Sequence, residues 1–201
     1  MFKRIITCIF AIFFAALGIA IATSADLGTS PIGSFPYVLT FICSLSFGTT
    51  TFIVNAFFIL LQKILLGKEF RKIDYLQFVV ILFFASFIDL GMYFASFINT
   101  RGYLDQFIML IAGSVILAFG ISLEVKADLL YIPGEGVVKA VAKRFNFNFG
   151  KSKIGFDIAQ CIIAITLGLI FLHKIEGIRE GTIISALMVG PLVSIFHKHK
   201  E

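Results

Sequence analysis

The 201-residue chain is 59% hydrophobic and only 14% charged, with 25 Phe, no Trp and a mean hydropathy of +0.99, whereas soluble domains are about 45–50% apolar and 25% charged. One water-soluble core of this length could not bury so much apolar surface, so most of the chain is solvated by lipid. The net charge of +5 does not point to nucleic acid, because the cations sit at the ends of apolar segments rather than on one soluble face.

From the N-terminus, Lys3-Arg4 precede an uncharged run from Ile5 to Ala22. This run is longer than a signal-peptide core of about 7–15 residues. It also has a counterpart in mid-chain, and both facts predict a transmembrane helix over 5–24. Between Arg4 and Lys63 the single formally charged residue is Asp26, so this window holds at least two spans of about 20 residues each. A break at Asp26–Pro31 leads to a short segment, 31–46, and then to helices over 49–66 and 75–97. The second half reads alike: a helix over 104–125, a break at Asp128–Pro133, a short segment over 133–146, and helices over 151–172 and 180–197.

The likeness is residue by residue at an offset of 102. Ala25-Asp26-Leu27 falls on Ala127-Asp128-Leu129, Pro31 on Pro133, Phe47-Gly48 on Phe149-Gly150 and Asn55 on Asp157. Such self-similarity marks a duplicated unit, with halves 1–102 and 103–201 in one membrane domain. The distribution of basic residues then bears on topology. If neither short segment crosses, Lys3, Arg4, Lys63, Lys68, Arg71, Lys72, Lys126, Lys139, Lys143, Arg144, Lys151, Lys153, Lys198 and Lys200 share the cytoplasmic side, leaving Arg101, Lys174 and Arg179 outside. This bias favours six spans with both termini inside. The expected fold is therefore an all-α polytopic membrane protein: six transmembrane helices as two inverted three-helix repeats, each with a short re-entrant or interfacial helix. Three spans per half reverse the second copy, as in many transporters.

The twelve residues from Pro133 to Arg144 make about 18 Å of helix, half a bilayer. Pro133 suits the first helical position, and Lys143-Arg144 suit the negative end of the dipole. Such a half-helix would aim its free N–H groups at the membrane centre. A helix lying flat is the alternative, since Val137, Val138, Val141 and Phe145 oppose Lys139, Lys143 and Arg144; the uncharged segment 31–46 fits that less well, and a full crossing is the third arrangement. Polar groups at membrane depth, where a charge costs about 2.5–3.5 kcal/mol on insertion scales, nominate a substrate-binding site. The candidates are Ser30, Asn55, Gly134, Glu135 and Asp157, with Glu135 and Asp157 as polar gates or proton-coupled groups. Asn55 and Asp89 read equally as structural, and Asp26 and Asp128 read as turn residues. Gly134 and Gly136 have a packing reading too.

No catalytic constellation is present, so no enzyme is expected. Gly150-Lys151-Ser152 lacks the first glycine of a nucleotide-binding loop, since position 145 is Phe. No nucleophile elbow, dinucleotide fingerprint or metal-spaced His/Cys set occurs, and neither a cofactor nor a metal is expected. Cys8, Cys43 and Cys161 read as buried small hydrophobes, and His197-Lys198-His199-Lys200 as a basic tail.

Taken in order, Ala25-Asp26-Leu27-Gly28-Thr29-Ser30-Pro31-Ile32-Gly33, Pro133-Gly134-Glu135-Gly136 with Lys153-Ile154-Gly155-Phe156-Asp157, and Glu180-Gly181-Thr182-Ile183 resemble the bacterial YczE/YyaS/YitT-type integral membrane proteins. The resemblance implies a multi-pass plasma-membrane protein and carries over no substrate or catalytic residue. Gly28-Thr29-Ser30 corresponds to Leu130-Tyr131-Ile132 in the second copy, so the half-sites are not chemically equivalent. The function expected is transport or channelling of a small polar or ionic solute between the repeats, its charge left open. The rival is a non-transporting accessory protein that presents a small-residue face, Gly181, Ser185 and Ala186, to a membrane partner or a second copy.

Overall fold

Each long apolar stretch is helical in the computed structural model, which describes residues 2–98 and 100–198. The helices are α1 (Phe2–Ser24), α2 (Pro31–Cys43), α3 (Phe47–Leu66), α4 (Gln77–Ala95), α5 (Tyr103–Ala127), α6 (Pro133–Phe145), α7 (Phe149–Leu167) and α8 (Glu180–Lys198). Two 3-10 turns, Gly67–Glu69 and Lys72–Leu76, join α3 to α4, and α7 runs on into a π-helical turn, Gly168–Leu172. No strand occurs among the described residues. Five helical stretches are long and apolar enough to cross a bilayer: Lys3–Ser24, Phe47–Glu69, Lys72–Ala95, Tyr103–Ala127 and Phe149–Leu172. This is the build of a multi-pass membrane protein. The expected sixth span is helical, but its apolar stretch, Glu180–Phe196, is shorter than these five and contains Pro191. His199 and Lys200 of the basic tail lie outside the described residues.

Local signals set the ends of the short helices. Pro31 and Pro133 open α2 and α6, where a missing N–H costs nothing and φ is already helical. Ser44 and Asn146 close them in the left-handed region, at φ 54° and 55°. Asp26 and Asp128 bend the chain before them at φ 57° and 40°. Helix α3 starts with Ser46 accepting the Thr49 N–H at 3.1 Å, and α7 with Asn148 accepting the Gly150 N–H at 2.9 Å. The prolines, the bends, the left-handed closures and the capping residues Ser46 and Asn148 all keep the offset of 102.

Packing is built on small residues. Helices α1 and α5 run antiparallel in close contact: Gly18 faces the Leu117 backbone, Gly120 faces Ala15, and Gly113 faces Ala22 and Gly18. A methyl group on Gly18 would lie 2.3 Å from Leu117 N. Backbones come this near only where side chains are absent. Helix α4 packs on α1, with Gly91 against Ala20, and α8 packs on α5. Helix α2 packs on α3 and α7, and α6 does likewise. Gly181 and Ser185, expected on an exposed face, are buried inside the molecule: a methyl on Gly181 would meet Leu27 O at 2.5 Å, and Ser114 Oγ lies 3.4 Å from Ser185 Oγ. Small residues do mark a close approach here, but the partner is α5. Among the cysteines Cys8 is buried, Cys161 half-buried and Cys43 exposed, at the last residue of α2 before its cap.

Filling the α1–α5 contact should therefore damage the fold. Gly18→Val or Gly113→Val is expected to cost at least about 1–3 kcal/mol of overpacking, seen as a lower melting temperature in detergent. Gly155→Val and Gly190→Val, where nothing lies within 4 Å of the added carbon, are expected to melt near the wild type.

Candidate functional site

The first turns of α2 and α6 meet. Ile32 Cδ1 lies 2.7 Å from where a side chain on Gly134 would begin, with Phe156 of α7 beyond. Gly134 thus sits at the contact of the two helix ends, where a larger residue would have to displace the Ile32 side chain. The rest of the Pro-Gly-Glu-Gly stretch is equally constrained. Gln62 and Gln77 pair through their amides at 3.0 and 3.1 Å, and Gln62 Nε2 also donates to Pro133 O at 3.1 Å. A Cβ on Gly136 would strike Gln62 Oε1 at 2.5 Å, so glycine at 136 makes room for the amide that anchors α6.

Glu135 follows on the first turn of α6 and is 7% exposed. Its Oε1 lies 3.1 Å from Lys153 Nζ, and the same ammonium lies 2.8 Å from Asp157 Oδ1. Lys153 and Asp157 are four apart on α7, so their side chains share a face. The structure therefore brings Glu135 and Asp157 together through a lysine that the sequence placed in the surface band of cations. Desolvating such a triad is expensive, and it holds because each charge has a partner.

A further acid joins from α5. Glu124 is 2% exposed and its Oε1 accepts the Ile132 N–H at 2.6 Å, while its Oε2 has no hydrogen-bond partner. The repeat could not reveal Glu124, whose counterpart is Ala22. Glu124 lies near the end of α5, and the return of the chain into α6 encloses it. Glu124, Glu135, Thr51 and Asn55 line one cavity of about 30 Å³, otherwise walled by apolar side chains of α1, α2, α4 and α5. That is enough for one or two waters. Asn55 Nδ2 donates to Thr51 O at 2.9 Å, leaving its carbonyl oxygen as an acceptor, and Thr51 Oγ1 is buried without a partner.

Ser30 lies outside this group. It is the N-cap of α2, 2% exposed, with Oγ unpartnered, and its carbonyl accepts from Ser34 Oγ, which in turn lies 3.9 Å from Cys161 Sγ of α7. Gln160, between Asp157 and Cys161 in the chain, is buried with both amide atoms unpartnered. Asp89 is structural: its carboxylate accepts the Gly48 N–H and the Ser46 hydroxyl, both at 2.7 Å, capping α3 from α4. Asp26 and Asp128 are turn residues, and their carbonyls accept from Arg179 and Arg4 respectively. Next to the second bend, Tyr131 donates to Asp128 Oδ1 at 2.8 Å and lies under the Lys139 ammonium, 3.1 Å from the ring centre. Burial, and then that bond to a carboxylate, hold its phenol above the ordinary range. Among the described residues no group of three or more His, Cys, Asp or Glu side chains is arranged to hold a metal ion.

The triad gives a stability test. Lys153→Met strands two acids, and the expected cost is about 3–5 kcal/mol, read as a lower melting temperature. Adding Glu135→Gln and Asp157→Asn to it is expected to recover most of the loss. Equal melting of the single and triple variants would contradict the pairing.

No curated protein and no solved structure matches the chain. A family profile does, over residues 2–198. That match takes in both halves and every residue of the cavity, so the chain belongs to the family of unknown function DUF6198.

Proposed function

We propose that this protein is a small-solute transporter or channel of the cell membrane, with its site where the first turns of α2 and α6 meet. The observation that carries the proposal is the cavity beside that meeting point, in which two carboxyl groups, an amide and an unpartnered hydroxyl face one another amid apolar walls. Polar groups enclosed at such depth are expensive and are kept where a solute or ion uses them.

On this reading the chain is an inverted repeat of six spans, α1, α3, α4, α5, α7 and α8, with α2 and α6 as re-entrant half-helices. Three observations support it. Helix bounds and left-handed bends recur at the offset of 102. The α1–α5 contact is self-complementary: Ala15 meets Gly120 and Gly18 meets Leu117, and under that offset each contact becomes the other. Lastly, the far ends of α6 and α3 meet through Lys143 and Glu69 at 2.8 Å. The end of α2 leads instead into Ser46 and Asp89, at the other end of α3. Each half-helix then returns to the face it came from, and both termini are cytoplasmic. The motifs shared with YczE/YyaS/YitT-type proteins fit the same plan.

The site's sign follows from what occupies the helix ends. The positive end of α6 is already answered by Glu124 and by Glu135 in its first turn, so an anionic solute would meet carboxylates rather than free N–H donors. Of the small-residue face on which the accessory-protein alternative rests, Gly181 and Ser185 are buried against the rest of the chain and Ala186 is exposed.

Two measurements check the proposal. Proteoliposomes given concentration jumps of alkali cations, ammonium and small zwitterions are expected to show flux that Glu135→Gln/Asp157→Asn cuts at least tenfold; wild-type flux in a folded double variant would remove the triad from the site. Single cysteines at 28–36 and 130–138, in a cysteine-free background, are expected to include deep positions that impermeant reagents reach through water. A uniformly surface-like pattern would mean flat helices instead.

A further inference from the structure

Three carboxyl groups converge on the start of α6, yet they share one ammonium. Lys153 is engaged by Glu135 and Asp157, and no cation lies within ion-pair distance of Glu124 among the described residues. Glu124 does have a structural task, since Oε1 holds the Ile132 N–H, but that task uses one oxygen. The second oxygen is enclosed and unpartnered, as is Thr51 Oγ1, and both residues line the same cavity. Two residues on different helices, Thr51 of α3 and Glu124 of α5, each with a buried unsatisfied oxygen, thus line one small space. Asn55 lines it too, with its carbonyl oxygen not engaged by its bond to Thr51 O.

A water in that space would satisfy hydrogen bonds, but an ionised Glu124 would still lack a cation at ion-pair distance. A bare monovalent cation meets both demands, and it needs no more room than a water. Oxygen donors alone suit hard cations rather than transition metals. One carboxylate without a counter-charge matches a single positive charge, not a double one. We infer that the cavity bordered by Glu124, Thr51 and Asn55 binds one dehydrated alkali cation of sodium size. The inference names the solute class, or the co-transported ion, of the site proposed above and rests on that placement.

The test is ion-dependent melting of the purified full-length protein in detergent, followed by circular dichroism. Sodium chloride is titrated against N-methylglucamine chloride at fixed ionic strength, with lithium and potassium in parallel. The expected result is a saturable rise in melting temperature of about 5 °C or more, stronger for sodium than for potassium. Glu124→Gln should abolish the rise, because it keeps an amide oxygen for Ile132 and removes the charge. Thr51→Ala should raise the half-saturating sodium concentration about tenfold. Glu69→Gln, in the Lys143 pair far from the cavity, should leave the response intact. No alkali-ion response in the wild type, or the same response in a folded Glu124→Gln, overturns the inference. So does stabilisation by acid alone with none by sodium, which would make the occupant a proton. Ion binding without flux in proteoliposomes would defeat the transport reading and leave the cation site standing; flux indifferent to sodium, with no melting response, would do the reverse.

Discussion

Breaking a helix within apolar surroundings exposes N–H and C=O groups that have no water to turn to, so the chain itself must satisfy them. Both breaks here meet that demand with groups drawn largely from the opposite half of the sequence. At the first, Gly177 O accepts the Thr29 N–H at 3.0 Å, Leu27 O accepts the Gly181 N–H at 2.8 Å, and the Arg179 guanidinium holds Asp26 O. At the second, Arg4 reaches Ala127 O at 2.8 Å and also Asp128 O, and Gln62 holds Pro133 O. Neither half can bury its own break. The fold is therefore a mutual arrangement, and the close α1–α5 contact is what brings the two halves near enough for it.

That arrangement also accounts for Glu124. The Ile132 N–H comes just before α6, where helix geometry supplies no acceptor, and Glu124 Oε1 supplies one at 2.6 Å. A backbone amide needs only one acceptor lone pair, and a neutral side chain would supply it. The excess charge of Glu124 is thus not explained by holding Ile132, and it is this surplus, rather than the acid itself, that points to a ligand.

Much of the fold was legible because proline, aspartate and glycine impose local backbone geometry whatever surrounds them. Pro31, Pro133, Asp26 and Asp128 gave the breaks, and the offset of 102 gave the element order. Glu135 and Asp157 were legible as a pair of deep acids. What joins them was not, since the direction of the Lys153 side chain depends on where α6 packs against α7. Gly181 and Ser185 signalled a close approach without saying to what. The offset of 102 does not point to Glu124, and it does not carry over Asp89, which ties α4 to the start of α3 and corresponds to Pro191; α8 also has the shorter apolar length. Repeat arithmetic transfers positions, not the side chains that have since diverged.

Differences between positions related by the offset of 102 are also where chemistry enters. Two identical half-sites facing one another would give a symmetric, neutral opening lined by hydroxyls such as those of Thr29 and Ser30. Here one side remains like that, and the other carries Glu124, Glu135 and the Lys153–Asp157 pair. The positive ends of the two short helices consequently differ: that of α6 is answered by acids, while the first turn of α2 contains none. A charged species at the meeting point feels an electrical gradient from one half-helix to the other even though the backbone is nearly repeated. Under the proposed transport reading, the two ends of the site are therefore chemically unequal although their helix bounds recur at the offset of 102.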